Sequence, residues 1–463
     1  MESDRKPNAL EELPADDVYG LKPELVRIIR EALDQGRIDD VRALALPMHY
    51  SDAADLLEHL EAEERRQLVE VLRPDLEPEV LTALDPAVRD EVIAQLGFAD
   101  LAAAVNELES DDAVWLVDQL EGDEQRRLIE ALEPEKRAIV EQGLAYPEYT
   151  AGRLMKRELV AVPSYWTVGE TIDHLRDTIH LPEDFYDIFV VDPRHRPIGR
   201  VTPARLLRSK RPVRLRDIID GEVRPVPVTM DQEEVAYRVR QRDLVSVPVV
   251  DAAGRLLGVI TVDDVVDVID EEAADDMLRL AGVAEPGLYH AIIDTTRSRF
   301  TWLAINLATA FLASMVIGMF SETIERVVAL AVLMPIVASM GGNAGTQTLT
   351  VAVRALAMKE LTPTNALRVI GKEGVVGLAN GCAFAVLTGL AAWAWFGSVA
   401  IGAVIGAAMV INMLCAGLAG TLIPLGLERM GVDPAVSSSV FLTTVTDVVG
   451  FLAFLGLAAA FLL

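Results

Sequence analysis

The sequence predicts a multidomain protein with three parts: a superhelical array of α-helices at the N-terminus, an α/β module in the middle, and an all-α domain with five transmembrane helices at the end. Three observations predict this organisation. The net charge of −29 over 463 residues is concentrated in the first 300, since only seven of the 71 acidic residues follow them. Two segments repeat internally, one at a spacing of 60 residues and the other at 59. Long apolar stretches fill the chain from residue 294 onward.

The composition also excludes several classes of function. Strong acidity argues against binding to nucleic acid, because phosphate recognition needs basic surfaces. The two cysteines, Cys382 and Cys415, lie in apolar segments, so neither a disulfide framework nor a CxxC metal site is expected. The first residues, MESDRKPNALEELP, contain no apolar core and are not typical of a signal peptide. The soluble part is therefore expected to stay in the cytoplasm.

Residues 1–145 are predicted to form an acidic helical domain. Apolar residues recur at three- and four-residue spacing from Pro23 to Leu144, as on one face of a helix. The stretch DAADLLEHLEAEERRQLVEVL from Asp52 aligns with DAVWLVDQLEGDEQRRLIEAL from Asp112, and repeated helix pairs of this kind predict a short superhelix. The aligned leucines are Leu56 and Leu116, Leu60 and Leu120, Leu68 and Leu128, and Leu72 and Leu132.

An acidic cluster stands at a predicted helix start in this domain. It consists of Glu109, Asp111 and Asp112. Carboxylates at such a position commonly cap the helix and offset its dipole. The other interpretation is that they bind a divalent ion shared with a neighbouring domain. Taken alone, this part of the sequence favours capping.

Residues 146–272 are predicted to form a tandem α/β module. The block DIFVVDPRHRPIGRVTPARLL from Asp187 matches SVPVVDAAGRLLGVITVDDVV from Ser246 at a spacing of 59. Each block reads as a strand, a turn, a second strand and a helix, and the helix is opened by a threonine, Thr202 or Thr261, as its N-cap.

The two blocks resemble a CBS-domain pair. Such pairs often bind ATP or another adenine nucleotide through a Thr-x-x-Asp pattern whose aspartate holds the ribose. The second block keeps the pattern as Thr261 and Asp264, whereas the first has Arg205 in place of the aspartate. The resemblance therefore implies one standard nucleotide site at most, at Thr261 and Asp264, and the residues themselves leave nucleotide binding open.

Residues 263–293 are predicted to be an acidic connecting helix and linker that leads into the membrane domain. Eight acidic residues fall within fourteen positions, and like charges at helical spacing repel one another. A run of this kind is usually a solvated face. If it lay against the acidic helical domain, divalent ions would bring the two surfaces together, which describes a two-state sensor. The acidic residues are Asp263, Asp264, Asp267, Asp270, Glu271, Glu272, Asp275 and Asp276.

Residues 294–463 are predicted to form the transmembrane domain, with spans at about 300–320, 327–349, 374–396, 401–425 and 436–463. Basic residues concentrate before the first span and between the second and third, which places the N-terminus in the cytoplasm and the C-terminus outside. We therefore expect a multi-pass protein of the cell (plasma) membrane, the inner membrane where there are two. These bases are Arg297, Arg299, Arg354, Lys359, Arg368 and Lys372.

The fifth span contains one carboxylate, Asp447, after a run of serines and threonines. An ionised aspartate inside a membrane costs roughly 3 kcal/mol or more unless it meets water, a partner or an ion. No Lys, Arg or His shares the segment, so Asp447 is either protonated and hydrogen-bonded to a neighbouring helix, or meets a cation. The second interpretation is favoured.

The second span contains PIVASMGGNAGTQTLT, from Pro335 to Thr350. Proline and paired glycines predict a break in helix regularity, which membrane proteins tolerate where the backbone lines a cavity or packs closely. Asn343 and Gln347 fall on one helix face. Further amides in other spans are expected to hydrogen-bond between helices; they are Asn306, Asn380 and Asn412.

The order of an acidic helical domain, a CBS pair, an acidic connecting helix and five spans resembles the MgtE family of magnesium channels or transporters. GGNAGTQ in the second span and TTVTDVVG in the fifth match the most specific motifs of that family. The resemblance implies a homodimer with a pore between the membrane domains. It also implies that Asp447 binds Mg²⁺ in the pore and that the backbone carbonyl of Thr443 contacts the water shell of the ion. Ser439 departs from a branch of the family that has asparagine there.

The resemblance further implies sensor magnesium in the cytoplasm. The acids that fall at such positions are Asp264, Asp267, Glu272, Asp275 and Asp276 in the connector and Asp111 in the helical domain. Independently, a wide site with few carboxylates and many hydroxyls suits Mg²⁺, which prefers oxygen ligands and loses its water reluctantly.

The favoured hypothesis is thus a magnesium-selective channel that imports Mg²⁺ down its electrochemical gradient and is closed by cytoplasmic Mg²⁺ bound between the helical domain, the CBS pair and the connecting helix. The alternative is a secondary transporter that couples Mg²⁺, Co²⁺ or Mn²⁺ to protons or sodium, with Asp447 cycling a proton. A chloride channel is disfavoured because the charge within the membrane is negative. An enzyme is not expected, because no catalytic spacing or phosphate-binding loop is present. If the protein were a membrane sensor that transports nothing, Asp447→Ala would leave magnesium uptake into the cell intact.

Overall fold

The computed structural model describes residues 21–120, 122–178, 181–182, 184–220, 223–283, 292–435 and 438–463. Two compact units make up the chain, Met1–Val266 and Asp267–Leu463. The acidic N-terminal residues 1–20, the linker residues 284–291 and the first two residues of the predicted fifth span lie outside the described residues.

Short α-helices joined by tight turns form the first part of the Met1–Val266 unit. Several begin at proline, which suits the first turn of a helix because its missing N–H would have no partner there. The helices are α1 (Pro23–Asp34), α2 (Ile38–Ala45), α3 (Tyr50–His59), α4 (Ala62–Leu72), α5 (Val80–Ala83), α6 (Pro86–Leu96), α7 (Phe98–Glu107), α8 (Ser110–Asp118), α9 (Gly122–Ala131), α10 (Pro134–Leu144) and α11 (Ala151–Leu154), with a 3-10 turn at Arg73–Asp75.

The repeat at a spacing of 60 residues is confirmed in the packing of these helices. Arg65 Nε donates to the Leu57 carbonyl at 2.8 Å, and Gln125, at the equivalent position, donates to the Val117 carbonyl at 3.0 Å. Each side chain donates to a carbonyl near the end of the preceding helix, where intrahelical partners run out. The aligned leucines buried in one continuous core are Leu56, Leu60, Leu68, Leu72, Leu116, Leu128 and Leu132, and Leu120 packs against it.

The second part of this unit consists of two three-stranded sheets of the same topology, β1-β2-β3 and β4-β5-β6. In each sheet the first strand is parallel to the second and the second is antiparallel to the third. The antiparallel pairing shifts at Val190/Val191 in one sheet and at Val249/Val250 in the other, which are positions 59 residues apart. The strands are β1 (Val160–Pro163), β2 (Ile188–Val191), β3 (Pro197–Val201), β4 (Val226–Pro227), β5 (Ser246–Val250) and β6 (Leu256–Thr261).

The helices of the α/β part each follow a threonine or an aspartate in the sequence. They are α12 (Val168–Asp177), α13 (Pro203–Arg208), α14 (Gln232–Arg242) and α15 (Val262–Leu280), with a 3-10 turn at Leu215–Asp217. The Thr202 hydroxyl accepts from the Arg205 N–H, as predicted for an N-cap. At the start of α15, the Thr261 hydroxyl donates to Asp264 Oδ2 at 2.8 Å, and the same oxygen accepts the Thr261 N–H. Thr167 and Glu170 make the same two bonds at the start of α12, where Thr167 is the N-cap of a capping box. That Thr261 caps α15 stays a prediction.

The Asp267–Leu463 unit contains five helices that are long and apolar enough to cross a membrane, at Thr295–Gly318, Ala329–Ala357, Ala366–Phe396, Val399–Arg429 and Ser439–Phe461. Several of the predicted spans were too short, because polar residues that end an apolar stretch still continue the helix. The full helices are α16 (Ile292–Gly318), α17 (Ser321–Arg326), α18 (Ala329–Ala357), α19 (Ala366–Phe396), α20 (Val399–Arg429) and α21 (Ser438–Phe461). Cys382 and Cys415 are free thiols.

The predicted helix break in the second span is wrong, because α18 continues through Pro335 and the paired glycines. The glycines serve packing instead. A Cβ on Gly341 would lie 2.2 Å from Asn412 Nδ2, and a Cβ on Gly345 would lie 2.9 Å from the Leu442 side chain. Small residues four apart let neighbouring helices approach closely, which is how membrane helices gain packing energy without a hydrophobic effect between them.

Asn412 joins three helices of the membrane domain. Its side chain is fully buried and its Nδ2 donates to the Val337 carbonyl of α18 at 2.8 Å. It also lies against the backbone of Gly450 in α21, where a Cβ would be 2.8 Å from Nδ2. The expected hydrogen bond between helices is therefore confirmed for Asn412. The described hydrogen bonds include none from the side chains of Asn306 or Asn380 to another helix.

We predict that Gly341→Ala lowers the unfolding temperature of the detergent-solubilised protein, because the added methyl group would overlap Asn412. Overpacking of this kind typically costs about 1–3 kcal/mol. The matched control is Gly342→Ala, where a Cβ meets no atom within 4 Å. We expect the control to keep or raise the unfolding temperature, because alanine favours a helix over glycine by about 1 kcal/mol. Equal unfolding temperatures for the two variants would contradict this account of the packing.

Candidate metal-ion sites

Asp447 lies in α21, partly buried, and the described chain gives its carboxylate no hydrogen bond or ion pair. The hydroxyls before it are turned to their own helix. Thr443 Oγ1 donates to the Ser439 carbonyl at 3.0 Å, and Thr446 Oγ1 donates to the carbonyls of Leu442 and Thr443 at 3.1 Å. The Thr443 carbonyl, predicted to face the water shell of an ion, thus has a hydroxyl partner within the helix.

A polar stripe runs along the uncovered face of α18, opposite its packed glycines. Five exposed side chains make up this stripe: Ser339, Asn343, Thr346, Gln347 and Thr350. They follow one another at helical spacing, so they share one side of the helix. Thr346 and Thr350 donate to carbonyls one turn earlier at 2.9 Å, and Asn343 Nδ2 donates to Ser339 Oγ at 3.5 Å. The remaining amide capacity would be satisfied by water or by another protein surface rather than by lipid. The stripe is therefore a candidate for a water-facing or protein-facing side of α18.

A second carboxylate lies within a helix of membrane length. Glu373 of α19 has a side chain only 14% exposed, and its Oε2 accepts a hydrogen bond from the Thr348 hydroxyl of α18 at 3.2 Å. Sequence reasoning missed its burial because Glu373 was placed one residue before the third span. Its partner Thr348 is in the same helix as the GGNAGTQ motif, so this carboxylate has a structural contact of the kind that Asp447 lacks.

In the first unit, Asp111 and Asp264 come together around a lysine that the sequence analysis did not single out. Lys156 Nζ lies 2.8 Å from Glu109 Oε2, 3.1 Å from Asp263 Oδ2 and 3.2 Å from Asp264 Oδ1, and 4.0 Å from Asp111 Oδ2. The cluster joins the start of α8 in the helical part to the start of α15 in the α/β part. We call these five side chains the Lys156 cluster.

Burial and mutual repulsion perturb the titration of the cluster. Burial raises the pKa of Asp111 well above its usual range, and the charges of Asp264 and Asp112 raise it further. Burial likewise raises the pKa of Asp264. Burial alone would lower the pKa of Lys156, but Asp111, Asp264 and Glu109 outweigh it and hold the pKa above its ordinary value. Lys156 is thus a permanent cation, and Asp111 Oδ1 is buried without a hydrogen bond.

In the second unit, the end of α15 carries its own acidic group around an arginine. Arg279 pairs with Asp275 at 2.9 Å, and it also pairs with Asp433 in the loop before α21. Burial raises the pKa of the neighbouring Asp276 to about 6, and the charges of Asp433 and Glu272 add to that increase. Asp267 lies earlier on the same helix. The predicted connector ligands thus share one helix, and Asp275 already has a protein cation beside it.

Within the described residues, no three His, Cys, Asp or Glu side chains are placed to hold a metal ion directly. Mg²⁺ usually keeps several waters and takes one or two carboxylates, so it does not require such a cage. The predicted pore and sensor ligands therefore stay predictions.

A cavity of about 180 Å³ opens between the two halves of the α/β part. Thr261 lines it, whereas Asp264 is held by Lys156 and by the Thr261 hydroxyl. The cavity has an aromatic wall that could stack a base, but its charged lining is mostly acidic and would repel phosphates. The charged and aromatic lining residues are Glu109, Lys156, Glu158, Asp184, Phe185, Tyr186, Asp187, Phe189 and Asp263.

Comparison with known proteins places these features in one family. Residues 334–457 match the profile of the divalent cation transporter family MgtE, residues 48–149 match the MgtE intracellular N domain, and residues 215–271 match the CBS domain. Magnesium transporters MgtE of Enterococcus faecalis and Thermus thermophilus are similar over 328 residues. The first is 34% identical, with 71% of this chain and 72% of the relative covered, and the second is 36% identical, with 70% and 73% covered.

A solved structure supports the assignment of the soluble part. The crystal structure of the cytosolic domain of the Mg²⁺ channel MgtE in complex with ATP matches with 33% identity and a TM-score of 0.50, covering 52% of this chain and 99% of that one. The fold and these matches define the class as a multi-pass membrane protein of the divalent cation transporters with a soluble N-terminal region. The chain belongs to the MgtE family of magnesium transporters.

We predict that Asp112→Asn stabilises the protein at neutral pH. Burial raises the pKa of Asp112 to about 6, helped by Asp264 and Glu109 and opposed by Lys156. The folded protein therefore keeps a proton that the unfolded chain releases near pH 4, and the stability from this group is lost as the pH rises toward 6. The variant should raise the free energy of unfolding at pH 7 by about 1–3 kcal/mol.

The measurement is thermal unfolding in detergent and EDTA between pH 5 and pH 8. Asp55→Asn, at an exposed position of α3, is the control and should follow the wild-type curve. Parallel pH curves for wild type and Asp112→Asn would show that Asp112 titrates normally.

Proposed function

We propose that this protein is a magnesium-selective channel that imports Mg²⁺ down its electrochemical gradient and is closed by cytoplasmic Mg²⁺. One observation carries the proposal: Asp447 is a partly buried carboxylate in a membrane span without a partner in the described chain. A carboxylate in that position is stable when it faces water and a cation. We infer that the cation is Mg²⁺ because the similar proteins are named magnesium transporters.

A homodimer with the pore between subunits fits the uncovered polar stripe of α18. A second copy would shield these amides and hydroxyls from lipid and give a water-filled passage two polar walls. Two copies of Asp447 would then balance the charge of one divalent ion. Because Mg²⁺ releases its waters reluctantly, hydroxyls and amides at some distance suit it better than a tight carboxylate cage.

Regulation is proposed to act through the connector. Excess cytoplasmic Mg²⁺ would neutralise its repelling acids, Asp267, Glu272, Asp275 and Asp276, and stabilise a closed arrangement. The end of α15 has a physical path to the pore helix. Arg279 pairs with Asp433 immediately before α21, and Leu280 packs in a cluster with Leu349, Val353, Ala435 and Leu442.

The proposal also includes the orientation of the chain in the membrane. The bases in the first turns of α16, Arg297 and Arg299, and those from the end of α18 to the start of α19 would face the cytoplasm, and the C-terminus would lie outside. The alternative function, an ion-coupled transporter of Mg²⁺ or another divalent cation, gives Asp447 a proton to carry. Currents across a bilayer whose reversal potential follows the Mg²⁺ gradient alone, at equal pH and equal sodium, would favour the channel.

We also propose that the cavity of the α/β part is the place where an adenine nucleotide would bind, with Thr261 in its wall. The ATP complex of the similar cytosolic domain supports this proposal. The acidic lining and the pairing of Asp264 with Lys156 oppose it, since a triphosphate would meet negative charge. Binding of ATP would therefore need an accompanying cation.

We predict that Asp447→Asn reduces Mg²⁺ flux into liposomes by about tenfold or more. The substitution keeps the shape but removes the charge, and each ~1.4 kcal/mol lost at the ion corresponds to a factor of ten in rate. The flux is measured with a Mg²⁺-sensitive dye in liposomes. Glu322→Gln, in the exposed helix α17, is a control that removes one carboxylate outside the long spans and should keep wild-type flux. Undiminished flux through Asp447→Asn would rule out the pore assignment.

We predict that neutralising the connector with Asp267→Asn, Glu272→Gln and Asp275→Asn leaves the channel open when Mg²⁺ is high on the cytoplasmic side. Without the repelling charges, Mg²⁺ loses its preference for the closed arrangement. The measurement is single-channel open probability against cytoplasmic Mg²⁺. A control triple variant, Asp34→Asn, Asp39→Asn and Asp55→Asn, removes the same number of exposed acids from the helical part and should close like wild type. Normal closure of the connector variant would place the sensor elsewhere.

A further inference from the structure

Lys156 occupies the place where the acidic faces of the helical part and the α/β part meet. Its side chain is only 12% exposed, and its ammonium lies within 3.2 Å of one carboxylate from the helical part and two from the α/β part. A lysine ammonium carries three donors, so it can serve each of those three oxygens with one hydrogen bond.

The backbone fixes the ammonium in this position. Lys156 pairs with Val259 of β6, with its N–H donating at 2.7 Å and its carbonyl accepting at 2.9 Å. This pairing requires a glycine next to it, because a Cβ on Gly258 would lie 2.6 Å from the Lys156 carbonyl oxygen. The Lys156 side chain therefore extends from a backbone position that is fixed by its pairing with β6.

A second link joins the same two parts without any charge excess. Ser110, fully buried at the start of α8, donates its hydroxyl to Glu158 Oε2 at 2.7 Å and accepts the Arg157 N–H at 2.6 Å. Arg157 in turn donates to the Leu257 carbonyl at 3.0 Å. The helical part and the α/β part are thus also connected by the residues that follow Lys156 in the chain.

A magnesium ion does not fit among these carboxylates while Lys156 is there. Mg²⁺ needs oxygen ligands at about 2.1 Å in an octahedron, whereas the carboxylates here are oriented toward a nitrogen at hydrogen-bond distance. The ammonium would also repel the ion. The residues therefore match a site that is already neutralised in part by the chain itself.

We propose that Lys156 is a tethered cation that takes the place of a divalent ion between the helical part and the α/β part, so that these parts stay together when Mg²⁺ is absent. The inference rests on the proposed closure by cytoplasmic Mg²⁺ and narrows it, because it removes Asp111 and Asp264 from the sensor ligands. Magnesium sensing is then left to Asp267, Glu272, Asp275 and Asp276.

The test is a distance measurement by pulsed electron paramagnetic resonance on the full-length protein in liposomes. Spin labels are placed at Asp55→Cys in α3 and Arg242→Cys in α14, with Cys382→Ala and Cys415→Ala as background. We expect wild-type Lys156 to give the same narrow distance distribution in EDTA and in excess Mg²⁺. Lys156→Met should lose this single population in EDTA, because four carboxylates would then face one another unscreened, and should regain it in Mg²⁺.

Two further variants separate loss of charge from loss of folding. Lys156→Arg keeps the cation and should remain insensitive to EDTA. Lys156→Met combined with Glu109→Gln and Asp263→Asn removes two of the four carboxylates together with the cation, which weakens the repulsion, and should narrow the distribution in EDTA toward that of the wild type. A wild-type protein whose two parts separate in EDTA would overturn the proposal, as would Lys156→Met with an unchanged distribution in EDTA. The spin-label distances do not depend on Mg²⁺ flux. The proposed transport function can therefore be wrong while this inference is right, and this inference can be wrong while the transport function is right.

Discussion

A carboxylate that lacks a counter-charge is costly wherever water is scarce, and this constraint connects the specialised regions of the protein. At the Lys156 cluster the ammonium group of Lys156 supplies a counter-charge. At the end of α15 it supplies Arg279, although Asp276 beside it remains in excess. At Asp447 the described chain supplies nothing. The described chain thus supplies part of the counter-charge at the Lys156 cluster and at the end of α15, and none at Asp447.

This difference fits the proposed division of sensing and conduction along the chain. A site whose acids outnumber its fixed cations responds to dissolved ions through the remaining negative charge. The end of α15 has Arg279, yet Asp276 beside it keeps a raised pKa because of the surrounding acids. In the proposed gating, an ion bound there would act on α21 through the Arg279–Asp433 pair and the apolar packing of Leu280.

Local patterns in the sequence were sufficient for the architecture. The spacing of 60 predicted the buried leucines of the helical part, the spacing of 59 predicted two matching strand-turn-strand-helix blocks, and hydropathy predicted the five long helices. The register shift that the two sheets share is visible in the structure alone. The helix ends and the role of Gly341 were predicted less well. Glycine and proline permit both a break and a close approach, and the choice depends on which side chain arrives from another helix, here Asn412.

The Lys156 cluster could not be predicted from sequence for a related reason. Lys156 is 45 residues or more from each of its acidic partners, and nothing in its immediate neighbourhood differs from an ordinary surface lysine. The candidate ligands Asp111 and Asp264 were found because acidic runs are visible locally. The position of Lys156 between them depends on two contacts made by residues distant in sequence: its backbone pairing beside Gly258, and the bond between Arg157 and Ser110 at the start of α8.

The Asn412 contact has a consequence for how this membrane domain could move. One amide is wedged between the backbones of α18 and α21 with no spare volume, so these helices and α20 would resist sliding past one another. Deformation would then concentrate where packing is absent. In the proposed dimer, opening and closing of the passage would then require whole subunits to tilt as blocks about their mutual boundary, leaving the interior of each block undisturbed.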